Sequence, residues 1–296
     1  MQQKNMIKGY IFIILSGIIY GCMPLMAKHI YNDGVNPMTL VFFRNLFALP
    51  FMVLIAKLSG KSLKIDRKAL PSLTLVALLG CCITPLLLFS SYKYIASGTA
   101  TVFHFIYPAV VIAIEFIFCK IKVYASSIVS LAVCVIGIFM FYTPGQELSL
   151  TGSGIALLSG VTYALYIVLL ASFRHREITG MVFSFYVSLI CSVVLLVICL
   201  ISGQLTLPGT PAGLMLCIFF AVAVNVGAMV LFQSGTFLVG GQRASILSTA
   251  EPITGVFVGA LVLNEAVSLR TGFGAFLVIL ASILIAVSDM HRMKKQ

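Results

Sequence analysis

Charge is what this sequence lacks. Acidic and basic side chains make up 9% of the chain, against 60% hydrophobic residues. A soluble protein covers its surface with charge at roughly a quarter of its positions. A chain this poor in charge keeps most of its surface against lipid, so an all-α integral membrane protein is expected. Long polar segments are missing too, which leaves no soluble domain to relay a signal. Neither H-E-x-x-H nor G-x-S-x-G occurs, and no pair of cysteines has C-x-x-C spacing. A membrane sensor and an intramembrane enzyme therefore stand as the weaker alternatives from another class. No catalytic residue, metal or cofactor is expected. The eight cysteines (Cys22, Cys81, Cys82, Cys119, Cys134, Cys191, Cys199 and Cys217) lie mostly in apolar stretches and read as small packing side chains.

What is present is a series of apolar windows about 20 residues long, enough to cross roughly 30 Å of hydrocarbon. Ten are expected, near 9–29, 36–56, 71–92, 98–118, 124–143, 152–172, 179–201, 212–234, 243–263 and 268–288. Lys4 and Lys8 precede the first, but it is longer than a signal core and has no small-x-small cleavage site, so it reads as a retained span. Ten spans put both termini on one side. With that side taken as cytoplasmic, fifteen lysines and arginines fall there, among them Lys57, Lys61, Lys64, Arg174, Arg176, Lys294 and Lys295. Only Lys28, Lys93 and Arg270 fall outside. The net charge of +11 is thus a matter of topology, and no nucleic-acid partner is expected.

The two halves repeat. L-S-G-I-I-Y (15–20) aligns with L-S-G-V-T-Y (158–163) at an offset of 143, and the same offset pairs L-F-S-S (88–91) with L-F-Q-S (231–234). One inserted residue moves the offset to 144, which pairs Ala100 with Ala244 and Pro108 with Pro252. The repeats are residues 1–147 and 148–296. Five spans in each make the second an inverted copy of the first, an architecture typical of secondary transporters, whose substrate site lies near midplane between the halves.

Polar residues inside the apolar windows are the candidate site. Glu251 and Pro252 lie about 12 Å into the ninth window, beyond the interface. Two readings are open for Glu251: it braces the helix break at Pro252, or it faces an aqueous cavity and takes substrate or a proton. At offset 144 it corresponds to Tyr107, and Ser248 corresponds to His104. Each pair is three residues apart and ends at a proline, so two polar helix faces converge beside helix breaks at Pro108 and Pro252. Tyr20 and Tyr163 line the cavity or cap it. Asn225 and Gln233 either donate into it or join helices. Arg44 is a gating, orienting or structural residue with Val187 as its uncharged counterpart. Gly17 and Gly160 read as packing devices, Glu115 as an interfacial partner of Lys120 and Lys122, and Glu265 as a cap for the last span.

Taken together, V-F-F-R-N-L (41–46), Y-P (107–108), E-P (251–252) and the trailing L-N-E (263–265) resemble the EamA-type members of the drug/metabolite transporter superfamily over nearly the whole chain. The first repeat departs from the pattern, with Ile121 where Glu265 stands in the second. The resemblance implies a ten-helix carrier of a prokaryotic inner membrane, its cavity formed by spans 1, 3, 4, 6, 8 and 9. It also implies export of a small metabolite such as an amino acid. The expected partners are that substrate, membrane lipid, and protons as coupling ion. A lipid or drug flippase of the same fold is the alternative.

Overall fold

The computed structural model describes residues 2–60, 62–91, 94–95, 97–140, 149–173, 178–262 and 269–293. No strand occurs among them. Glu265 and the L-N-E segment lie outside the described residues, as do Lys61, Lys93, Arg174, Arg176, Lys294 and Lys295.

The chain begins with α1 (Gln2–Gly21) and α2 (Met23–Asn32), which are separated at Cys22. Pro24 sits in the first turn of α2, where its missing N–H is tolerated but cannot continue the ladder of α1. Next comes α3 (Pro37–Leu58), capped by the Asn36 side chain, which accepts from the Thr39 N–H at 2.8 Å. A π-helical turn, Leu78–Ile83, joins α4 (Leu70–Ala77) to α5 (Thr84–Ser91). The first half closes with α6 (Ser97–His104), α7 (Tyr107–Ile117) and α8 (Ala125–Phe139).

The second half opens with α9 (Leu150–Ala171) and α10 (Gly180–Ile201). A second π-helical turn, Val222–Met229, joins α11 (Pro211–Ala221) to α12 (Val230–Val239). The chain ends with α13 (Gly241–Leu247), a 3-10 turn at Ser248–Ala250, α14 (Glu251–Val262) and α15 (Leu269–Met293).

Among the described residues, seven helical stretches are long and apolar enough to cross a membrane: Lys4–Asn32, Pro37–Leu58, Arg67–Ser91, Ala100–Ile117, Leu150–Ala171, Gly180–Ile201 and Pro211–Val239. Two further apolar helices, Ala125–Phe139 and Gly272–Ser288, are shorter. The ten expected windows therefore do not all appear as full-length helices. The window near 243–263 differs most, because α13, the 3-10 turn and α14 replace a single helix. Pro252 offers no N–H to the Ser248 carbonyl one turn back, and Pro108 likewise withholds one from His104, where α6 ends and the chain turns before α7.

The helices pack in a pattern that survives exchange of the halves. α1 packs on α12 and α9 packs on α5, which are equivalent pairs under the repeat. Likewise α3 meets α10 and α8 meets α15, each helix with its own counterpart, while α7 meets α13. The two π-helical turns begin at Leu78 and Val222, 144 residues apart, so even this local irregularity recurs. Each turn comes with a carbonyl that a hydroxyl takes up: Thr84 Oγ1 donates to the Leu79 carbonyl at 2.7 Å, and Ser16 Oγ to that of Ala228 at 2.9 Å. Around the bundle the surface is apolar, with Leu58, Phe118, Ile128, Phe139, Leu200, Phe219 and Leu261 exposed, as a lipid-facing surface requires.

Candidate functional site

The two helix breaks bring an aromatic cluster to the middle of the bundle. Tyr107 opens α7 and packs edge-to-face on Tyr163 of α9, with ring centroids 4.8 Å apart. His104, the last residue of α6, lies 5.3 Å from Tyr163 and 5.6 Å from Tyr107. Tyr166 and Phe232 extend the cluster by stacking beyond Tyr163 at 5.6 and 6.2 Å. Such pairs contribute about 0.5–1.5 kcal/mol each beyond burial, which holds the breaks in register with α9.

Hydrogen bonds set the direction of each polar group. Ser248 Oγ donates to the Ser245 carbonyl at 3.0 Å, so its lone pair accepts from the Tyr107 hydroxyl at 2.7 Å. Ser159 Oγ donates to the Ala156 carbonyl at 2.6 Å and therefore accepts from His104 Nδ1 at 2.9 Å. This places a proton on Nδ1 and leaves Nε2 as an unused nitrogen. Tyr107–Ser248 joins the two halves through side chains, and His104–Ser159 does so a second time.

Glu251 opens α14 and is only half-buried, although it stands inside the bundle. It lies within electrostatic range of Tyr20, Tyr107 and Tyr163. Its carboxylate has no hydrogen-bond or ion-pair partner among the described residues. Tyr20 and Tyr163 are half-buried as well, so these three side chains border accessible space, whereas Tyr107, His104 and Ser248 form the wall behind them. Arg44 of α3 is 8% exposed, its Nε has no partner, and its charge reaches Tyr20, Tyr31 and Cys81. Tyr20 thus stands in range of a cation and an anion that have no ion-pair partner among the described residues.

Asn225 lies elsewhere, and Gln233 reaches the cluster only through Tyr166. Asn225 sits in the second π-helical turn and donates to Asn45 Oδ1 at 2.9 Å and to Ser188 Oγ at 3.2 Å. Gln233 accepts from Ser184 and donates to the Tyr166 hydroxyl at 3.3 Å. Both are at most 1% exposed and join helices in this conformation. Asn225→Ala is accordingly expected to cost only about 1 kcal/mol, the scale of interhelical bonds in membranes, and to leave transport intact. Thermal unfolding in detergent beside a transport assay checks this.

Glu115 departs from the expected ion pair. It is 2% exposed and accepts from the backbone N–H groups of Gly241 and Gln242. The chain turns away through Lys120, which has a φ of 54°, and Lys122 Nζ lies over the Tyr124 ring at 5.5 Å.

Sequence reasoning missed Ser159, the partner that orients His104. The signal was in the repeated L-S-G-x-x-Y motif, whose serines both prove to be structural donors: Ser16 to Ala228 and Ser159 to Ala156. At the end of the bundle that carries the termini, α7 packs on α13 and so joins the two halves.

Known proteins resemble this chain over both of its halves. A model described as the EamA-like transporter family matches residues 7–143 and again 150–287, one copy per half. An uncharacterized inner membrane transporter, YicL of Salmonella typhimurium, is 24% identical over 307 residues, spanning 96% of this chain and 97% of its own. An uncharacterized transporter of Clostridium kluyveri is 26% identical, with 94% and 92% covered. A crystal structure only 13% identical in sequence superposes with a TM-score of 0.77 over 95% of this chain and 97% of that one, so the fold is shared. With both halves matched, this multi-pass membrane protein belongs to the EamA-like transporter family.

Proposed function

We propose that the chain is a secondary-active transporter that exports a small metabolite, such as an amino acid or a related compound, by alternating access around the space bordered by Tyr20, Tyr163 and Glu251. In this reading ten spans form two inverted five-helix repeats, 1–147 and 148–296, in a prokaryotic inner membrane, with both termini cytoplasmic. His104, Tyr107 and Ser248 are the wall of the site, and Arg44 orients the substrate. The protein works without catalytic groups or cofactors.

The observation that carries this reading is the pair of unpaired charges near Tyr20. A charged side chain at the bilayer centre costs about 2.5–3.5 kcal/mol on insertion scales, and among the described residues neither Arg44 nor Glu251 has an ion-pair partner to offset it. A substrate with one anionic and one cationic group satisfies both, and a proton on Glu251 satisfies it between substrates. Counterflow in proteoliposomes against a panel of amino acids, nucleobases and cationic drugs, with and without a pH gradient, tests this. Saturable counterflow of a compound carrying both charges is expected. Lipid scrambling with no compound-specific signal would replace this reading with a flippase.

A further inference from the structure

The substrate reading leaves one buried carboxylate unused. Glu115 lies near the end of α7, in the first half of the chain, and its hydrogen-bond donors, the backbone N–H groups of Gly241 and Gln242, belong to the second. The positive charge of Arg243 adds to the attraction. The Gln242 side-chain amide lies alongside, but its Nε2 is not in bonding geometry. Hydrogen bonds to an ionised acceptor are roughly twice as strong as neutral ones, and Glu115 is only 2% exposed to competing solvent.

Two adjacent glycines permit this contact. Gly240 has a φ of +83°, a conformation that L side chains rarely adopt, and it turns the chain from α12 into α13. At Gly241 a Cβ would collide with Glu115 Oε1 and would stand 3.5 Å from the Ala171 Cβ. The backbone must come this close for the carboxylate to reach both N–H groups.

The opposite end has no equivalent. At the repeat offset of 143 Gly241 corresponds to Gly98, but at 144 Glu115 corresponds to Gly259, so no acid stands where the symmetric partner would have to be.

We propose that the contact of Glu115 with Gly241 and Gln242 is the latch of the terminal-end gate. It holds the conformation described above, and it must release before the site opens toward the termini. The proposal rests on the alternating-access reading and adds a gating residue to it. Glu115 touches no substrate and acts by positioning α7 against α13.

Hydrogen–deuterium exchange on the full chain in lipid nanodiscs, without substrate, tests the latch in Glu115→Gln. Gln keeps the shape of the side chain and loses its charge. Segments 2–9, 168–173 and 239–247 at the terminal end are expected to exchange about tenfold faster or more. At the same time 86–91 and 150–156, at the other end, become more protected as that side closes. Gly241→Ala, which displaces the carboxylate from the other side, is expected to shift exchange in the same two directions. Faster exchange confined to 240–243, with the far end unchanged, would make Glu115 a local cap and overturn the proposal. Failure of both variants to fold would overturn it too, since the contact would then belong to the fold and not to a gate. Because no substrate is added, this outcome is separable from an unsuccessful search for one.

Discussion

Glu251→Gln is expected to lower transport by about tenfold or more and to abolish its response to a pH gradient, while the protein folds as before. The two halves of this expectation have different causes. Glu251 accepts no bond from the described residues, so a carboxamide of the same shape leaves no protein donor stranded and stability should hardly change. Hydrogen bonds to charged groups contribute about 1.5–3 kcal/mol, and at 1.4 kcal/mol per tenfold the loss of one to a substrate cation costs about 10- to 150-fold. An amide does not exchange protons in this range, so a gradient no longer drives the cycle through this position. Counterflow and pH-jump uptake in the same proteoliposomes, with thermal unfolding beside them, separate these effects. Retained pH-dependent transport would show that protons enter elsewhere, and a collapse in thermal stability would return Glu251 to the role of a structural brace.

Much of this site was legible in the sequence because the chain is duplicated. The offset of 144 pairs His104 with Ser248 and Tyr107 with Glu251. In the structure Tyr107 and Ser248 are hydrogen-bonded across the halves, with Glu251 in electrostatic range of Tyr107. Prolines made the helix breaks legible too, since a missing N–H acts one turn away regardless of tertiary context. Other features were hidden for physical reasons. The π-helical turns at Leu78 and Val222 arise from how the third and eighth windows pack, and L-L-G-C-C-I carries no local signal for one. The division at Cys22 has no equivalent in α9, where Ile167 stands at the position matching Pro24, so the repeat argued against it. Glu115 was misread because Lys122 turns its ammonium over Tyr124 instead, while the true donors are backbone groups that no residue type advertises.

Gly160 and Gly154 allow the close packing around the site to be tested within one helix, by the same substitution with opposite expected signs. Replacing a helical glycine with alanine adds about 0.5–1 kcal/mol of stability from backbone entropy alone. At Gly154 a Cβ meets nothing within 4 Å, so Gly154→Ala should realise that gain and leave transport unchanged. At Gly160 a Cβ would lie 2.5 Å from the His104 carbonyl oxygen and 2.8 Å from Ile106 Cγ2. That carbonyl is the one Pro108 leaves without its usual donor, and it belongs to backbone, which does not swing aside as a flexible side chain does. Overpacking of this kind costs about 1–3 kcal/mol, enough to outweigh the helical gain. The strain falls on the segment that carries His104 and Tyr107. Gly160→Ala is therefore expected to lower the unfolding temperature and reduce transport together, through displacement of the His104–Ser159 and Tyr107–Ser248 bonds. If both variants raise the unfolding temperature, the break before Pro108 is free to move, and the contact between α9 and α6 does not hold the aromatic wall in place.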